Sequence, residues 1–287
     1  MPLINRSFFL FVRLRWEGYN GATMNKNISN EKRSPLKERQ LRYPGQSLDK
    51  KISLLLFEIG LLVGLSAIFI ILSLLEWWQW FRNLPPMPQF TSIVATAVVA
   101  YSYIKIRRIR KQLPSYRQGQ MGEREVGQIL NKLITQRYTI LHDVLTGKSN
   151  IDHVVLSPRG IYAIETKAIS KTAREAVVEF DGKAITLTGH SPDAKPVEEA
   201  KRHANWLRKI IGNKVSTGKP FIVKPVVVYP GWWRDPKGYN KDIWVLNPEM
   251  LEVQISHEPL SLTEADIEMA KERLKPYSTT PTVDSTA

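Results

Sequence analysis

Asn150–Ala168 reads NIDHVVLSPRGIYAIETKA. Two runs rich in Val and Ile, Ile151–Leu156 and Ile161–Lys167, flank Ser157–Gly160, whose SPRG composition suits a hairpin turn. Strands of this kind are built for burial, yet these carry Asp152, Glu165 and Lys167. Charged side chains are almost never fully buried unless they are paired or bind a metal. Alternation along a strand puts Glu165 and Lys167 on one face, and Asp152 with Val154 and Leu156, while His153 points the other way. If the strands pair about the turn, Asp152 and Glu165 lie close together. Two such carboxylates repel each other and are costly to desolvate, and a divalent cation relieves both problems. Mg²⁺ or Mn²⁺ takes carboxylate oxygens, so Asp152 and Glu165 are the candidate metal ligands. A lysine beside them can hold a phosphate or an attacking water. The set suits phosphodiester hydrolysis, with the metal as Lewis acid and water activator. On spacing alone, an edge-strand salt bridge of Lys167 with Glu165 or Asp152 is the simpler reading.

The surrounding chain has the elements of an α/β domain. Gly122–Ile134 repeats Val126, Ile129, Leu130, Leu133 and Ile134 at helical spacing, and Tyr138–Leu145 reads as a strand. On that helix Glu123 faces the sheet and Glu125 faces solvent, because about 100° per residue places Glu123 nearer the apolar centre at Val126. AVVEF and AITLTG form a second hairpin around Asp181–Lys183. Pro196–Ile211 is an amphipathic helix with proline at its start. Phe221–Pro230 and Ile243–Leu246 are strands, and Leu262–Leu274 is a closing helix with Thr263 as N-cap and Asp266 as its capping-box partner. This order predicts an α/β domain around a central mixed sheet.

Charge locates the rest. The net +14 first suggests nucleic acid, but it is unevenly spread. Residues 1–51 carry a net +7 and residues 105–120 a net +6 with no acidic residue, and between them lies an apolar region. Ile52–Leu75 is long enough to span a membrane and is interrupted only by Glu58. Trp77, Trp78, Trp80 and Phe81 suit a membrane interface, and Pro85, Pro86 and Pro88 suit a turn. A shorter apolar run, Phe90–Ile104, follows. Basic residues collect on the cytoplasmic side, so the two flanks predict a hairpin of spans at about 52–75 and 88–104. Both termini are then cytoplasmic, in an integral protein of the plasma (inner) membrane. The expected organisation is a basic, unstructured segment 1–51, the hairpin 52–104, a juxtamembrane segment 105–117 that binds anionic lipid head groups, a domain 118–277 and an unstructured tail 278–287. FFLFV (Phe8–Val12) is too short for a convincing signal-peptide core, and either Met1 or Met24 can be the start.

Other chemistries have less support. Absence of cysteine excludes disulfides and thiolate metal sites, and the five histidines lack zinc-site spacing. TGKS (Thr146–Ser149) lacks the glycines of a phosphate loop and reads as a turn. Trp232 and Trp233 could stack on bases, but a packed or exposed loop explains them as well.

Three blocks, GQMGEREVGQIL, NIDHVVLSPRGIYAIETKA and KPVEEAKRHANWL, resemble in order those of the nuclease-related (NERD) domain family of the PD-(D/E)xK nuclease superfamily. The resemblance covers about Gln118–Leu207. It implies a restriction-endonuclease-like α/β fold and a metal-dependent nuclease, with DNA the favoured substrate. It places Asp152, Glu165 and Lys167 at the superfamily's catalytic positions and makes Glu123 the accessory helix acid. This chain departs from the family at Ala168, where Asn is usual, and at Lys195 and Glu199, which stand where Asn and Gln are usual; His203 matches. Glu199 and His203 are therefore candidate substrate contacts. The alternative is a non-catalytic module of the same fold that binds nucleic acid or a protein at the membrane.

Overall fold

The computed structural model describes residues 40–82, 87–136, 138–147, 149–171, 176–212, 218, 220–234 and 242–280. The expectations for residues 1–39 and 281–287, for the turn prolines Pro85 and Pro86, and for Lys148 lie outside them.

Two long helices come first, α1 (Gln46–Phe81) and α2 (Pro88–Asn131). They run antiparallel and stay in step along their length. Ser73 and Ser92 share a hydroxyl hydrogen bond of 2.9 Å, and Trp77 Nε1 donates to Ser92 Oγ at 2.9 Å. Far along the pair, Lys51 Nζ lies 4.3 Å over the Tyr116 ring, and Arg124 meets Asp49 at 2.7 Å. Among the described residues α1 is the helix long and apolar enough to cross a membrane. The expected second span, 88–104, does not reach that measure, because Thr91, Ser92, Thr96 and Ser102 dilute a short apolar run and Lys105 follows at once. It is instead the first part of α2. That one helix also takes in the basic stretch 105–117 and the GEREVGQILN block, and it continues through Pro114.

Next come β1 (Thr139–Leu145), β2 (Asn150–Ser157), β3 (Gly160–Thr166), β4 (Val177–Phe180), β5 (Ile185–Leu187), α3 (Lys195–Ile211), β6 (Val223–Val228), β7 (Trp233–Arg234), β8 (Trp244–Leu246), α4 (Leu251–Ser256) and α5 (Glu264–Ser278). The central sheet has the order β1-β2-β3-β6-β8. β1, β2 and β3 pair antiparallel, while β6 runs parallel to β3 and β8 parallel to β6, so the sheet is mixed. Between Ser157 and Gly160 the chain turns back on two residues, and Gly160 takes a φ of +146° that few other residues adopt. β4 and β5 form the second hairpin, and β7 completes a small sheet beside the first.

Alternation along β2 and β3 divides the core in two. Val154, Leu156, Ile161 and Ala163 pack against Ala204, Leu207 and Ile211 of α3 and Ile267, Ala270 and Leu274 of α5. Val155, Tyr162 and Ile164 pack on the other face against Val126 and Leu130 of α2 and Leu251 and Ile255 of α4. Helices on both faces explain why Val226, Val227 and Val228 of β6 are all apolar and buried. Thr263 caps α5 through a reciprocal capping box with Asp266.

Residues 40–45, just ahead of α1, belong to this domain. Leu41 bridges Thr279, Arg42 N–H donates to Ser278 O at 2.9 Å, and Thr280 N–H donates to Gln40 O at 2.9 Å. The carboxylate of Asp143 is fully buried. Its Oδ2 accepts from the Arg42 guanidinium, from Ser47 N–H at 2.8 Å and from Ser47 Oγ at 2.9 Å. Its Oδ1 accepts from Asn150 Nδ2 at 2.7 Å. Pro44 lies so close to Gly127 that a Cβ there would stand 2.3 Å from Pro44 Cγ. The expected boundaries therefore move: residues 40–51 are a strap and the first helical turns, and 278–280 are held against that strap.

Candidate active site

β2 and β3 pair with His153 opposite Ile164, which puts Asp152 and Glu165 at the next facing position on the α3 side. Both are buried, at 6% and 5% exposure. Asp152 Oδ2 accepts from Thr166 N–H at 2.7 Å. Glu123 reaches the pair from α2, the helix of the opposite face, and is also buried, whereas Glu125 is exposed. Gly122 makes that approach possible: a Cβ there would meet the Ala168 Cβ at 2.5 Å, so only hydrogen fits between α2 and the end of β3. Lys167 Nζ donates to Glu165 Oε1 at 2.7 Å and to Glu199 Oε2 at 2.9 Å. His203 Nδ1 lies 3.1 Å from Glu165 Oε2, without the alignment of a hydrogen bond. The candidates Glu123, Asp152, Glu165, Lys167, Glu199 and His203 thus converge on one place.

The electrostatics are those of an overloaded acidic cluster. Burial, and then the charges of Glu165 and Glu123, push the Asp152 carboxyl well above the usual carboxylate range. Burial, and then Asp143 and Glu165, push Glu123 up to about 8, against a hydrogen bond from the Gly45 backbone of the strap. Glu165 goes the other way: burial raises it, but neighbouring His203 and Lys167 outweigh that and hold it below its usual range. Burial would lower Lys167, but Glu165 and Glu199 raise it.

These residues fit a divalent cation. Glu123 Oε2 and Glu165 Oε2 are buried oxygens without a hydrogen-bond donor. Asp152 and Glu123 cannot both stay charged beside Glu165 without added positive charge. Among the described residues, one group of three metal-ligating side chains has its ligand atoms all within 4.8 Å of one another: Glu165, Glu199 and His203. Sequence reasoning set Asp152 with Glu165 as ligands and Glu199 and His203 with substrate, and so did not single out this group. Helical spacing was the available signal, since Glu199 and His203 are four apart on α3. Ser149, whose Oγ lies 3.1 Å from His203 Nε2, was also missed, in a turn whose sequence points to nothing.

A cleft of about 610 Å³ opens beside Lys167 and Glu199, lined also by Ile185, His190, Lys195 and Tyr229. Trp232 is buried and donates from Nε1 to Ile169 O at 3.0 Å, while Trp233 is 71% exposed.

Residues 118–230 match the model of the nuclease-related domain, NERD. Those 113 residues hold every candidate site residue and are less than half of the chain. An uncharacterised protein of Bacillus anthracis is 33% identical over 64 residues, covering 21% of this chain and 30% of that protein. No solved structure matches. The NERD match ends at residue 230, before β7 and β8, and begins well after the strap that supplies the Gly45 contact to Glu123.

The Glu123 environment makes a pH prediction. Its folded-state carboxyl holds a proton to about pH 8, whereas the unfolded chain releases it near 4.5. The stability this contributes is complete below pH 4.5 and is lost as pH rises through 8. Each pH unit in that window removes about 1.4 kcal/mol at most. Metal-free protein should therefore lose stability from pH 5 to 8. Glu123→Gln should flatten that slope and weaken metal binding, and Glu125→Gln should do neither. Urea midpoints at several pH values measure this, and a slope unchanged in Glu123→Gln rejects the assignment.

Proposed function

We propose that this chain is a membrane-anchored, metal-dependent nuclease that hydrolyses phosphodiester bonds, with DNA the favoured substrate. The observation that carries the reading is the convergence of Asp152, Glu165 and Glu123 with unpartnered buried oxygens beside Lys167. Asp152 and Glu165 would hold Mg²⁺ or Mn²⁺, which when bound supplies Lewis acidity and an activated water. Lys167, fixed by two carboxylates, holds its ammonium at the cleft and places positive charge where a phosphate would enter. Glu123 adds a fourth carboxylate from behind the sheet. Cleavage of single- and double-stranded DNA and of RNA by the full-length chain, with and without Mg²⁺ or Mn²⁺, tests this. Loss of cleavage in Lys167→Met with metal affinity retained is expected, and cleavage equal to wild type would sink it. One observation favours a non-catalytic binding module instead: Lys167 is already doubly paired with Glu165 and Glu199. In that case no metal binds, and Lys167→Met mainly costs stability.

The anchor is the α1–α2 pair. Supporting it are the exposed apolar side chains of α1 and of the start of α2, among them Leu54, Phe57, Leu61, Ile68, Phe90 and Ile93. Ser73, Ala95 and Ser102 are buried along the pair together with Ile52, Leu62 and Ile109, and small residues of this kind suit close helix packing in lipid. The basic stretch 105–117 then lies next to anionic head groups, each basic residue contributing about 1 kcal/mol. In this topology both termini face the cytoplasm at the plasma (inner) membrane. A reporter after Ala287 should be cytoplasmic and one placed within 83–87 external. A C-terminal reporter on the outer side rules the topology out.

A further inference from the structure

We propose that Glu165, Glu199 and His203 form a second cation site, in which His203 Nδ1 is a ligand and the ion is a first-row transition metal such as Mn²⁺. It shares Glu165 with the nuclease reading and rests on that reading to this extent alone.

The far side of the imidazole supplies the first argument. Thr146 Oγ1 donates to Ser149 O at 2.9 Å, and its hydroxyl proton is thereby used. With that proton used, the Ser149 hydroxyl, 2.9 Å from Thr146 Oγ1, can donate to it. Ser149 Oγ is left as an acceptor for His203 Nε2–H at 3.1 Å. A neutral imidazole protonated at Nε2 presents a bare lone pair at Nδ1.

That lone pair meets another. Nδ1 stands 3.1 Å from Glu165 Oε2, both residues are more than nine-tenths buried, and neither atom has an aligned hydrogen bond. Two facing lone pairs repel unless a proton or a cation lies between them. Metal-bound histidines almost always give their other N–H to an oxygen acceptor, the part Ser149 plays here. Glu199, one helical turn before His203, completes a three-ligand group within 4.8 Å. Lys167 bridges Glu165 Oε1 and Glu199 Oε2 and leaves Glu165 Oε2 toward the imidazole. The donor set decides the ion. Mg²⁺ keeps to oxygen, whereas a set of two carboxylates and one imidazole suits a first-row transition ion, for which Mn²⁺ is the paramagnetic probe. The rival is a proton on His203 Nδ1 facing Glu165 Oε2, the arrangement in which His203 holds that carboxyl low.

Electron paramagnetic resonance of Mn²⁺ titrated into the full-length chain tests this, with electron spin-echo modulation to detect coupled ¹⁴N. Wild type should bind Mn²⁺ with nitrogen modulation. His203→Gln should lose the modulation and about 10–100-fold in Mn²⁺ affinity. Asp152→Asn, which leaves the three ligands intact, should keep the nitrogen signal, so the idea stays testable where His203→Gln folds poorly. Bound Mn²⁺ without nitrogen modulation overturns this site and leaves the nuclease reading standing. So does modulation that survives in His203→Gln or vanishes in Asp152→Asn. No Mn²⁺ bound at all removes both.

Discussion

Asp152→Asn should make the metal-free protein more stable while abolishing its response to Mg²⁺. In the folded chain the Asp152 carboxyl is raised well above its ordinary value by burial and by Glu165 and Glu123. The stability a raised carboxyl contributes is present below its unfolded value and lost as pH rises, so at neutral pH wild type lacks it. An asparagine cannot ionise, and its carbonyl can still accept from Thr166 N–H. The expected gain is about 1–2 kcal/mol, or a few degrees in melting temperature. In wild type Mg²⁺ should raise the melting temperature; in Asp152→Asn that rise should vanish, and cleavage should fall by about 10²-fold or more. Calorimetry with and without Mg²⁺ measures both effects. A destabilised variant that still responds to Mg²⁺ would remove Asp152 from the site.

Asp143→Ala should be the most destabilising of the substitutions considered. The carboxylate is fully buried and accepts from Arg42, Ser47 and Asn150, and Arg42's side chain is itself 9% exposed. Truncating one partner leaves a buried guanidinium uncompensated, at about 3–5 kcal/mol. Asp143 also adopts a φ of +51°, where alanine adds about 1 kcal/mol of strain. Because the strap carries Gly45 to Glu123, metal binding should weaken with it. Urea denaturation of Asp143→Ala beside the exposed-turn variant Asp181→Ala checks the claim; a loss below 1 kcal/mol would show that the strap is not held by this carboxylate.

What could be read in advance follows the reach of each interaction. The β2–β3 hairpin, the second hairpin around Asp181–Lys183, the α3 amphipath and the Thr263–Asp266 capping box are all local, and spacing alone located them. Glu123 facing in and Glu125 facing out came from helical geometry. The Arg42–Asp143 clamp joins residues 101 apart, and neither residue sits in a pattern that announces the other. From sequence the strap therefore reads as part of an unstructured flank. Composition divides α2 into an apolar run, a basic linker and a domain helix because it changes twice, while the backbone stays helical through both changes and through Pro114. Glu199 and His203 were visible as a helical pair, but their meeting with Glu165 depends on how α3 lies across β3.

That uninterrupted helix has a mechanical consequence. Ile104 and Glu123 are nineteen residues apart on continuous helix, about 28 Å at 1.5 Å per residue. The helix continues through its one interior proline, Pro114, so the direction in which the acid cluster looks is indexed to the face that the apolar half presents. One residue inserted among 105–117 would advance the cluster by about 1.5 Å and swing it by about 100°. It would also throw α2 out of step with α1, whose contacts run from Ser73 and Ser92 to Asp49 and Arg124. Length changes in this stretch therefore act as rotations, and the segment behaves as a keyed shaft rather than a tether.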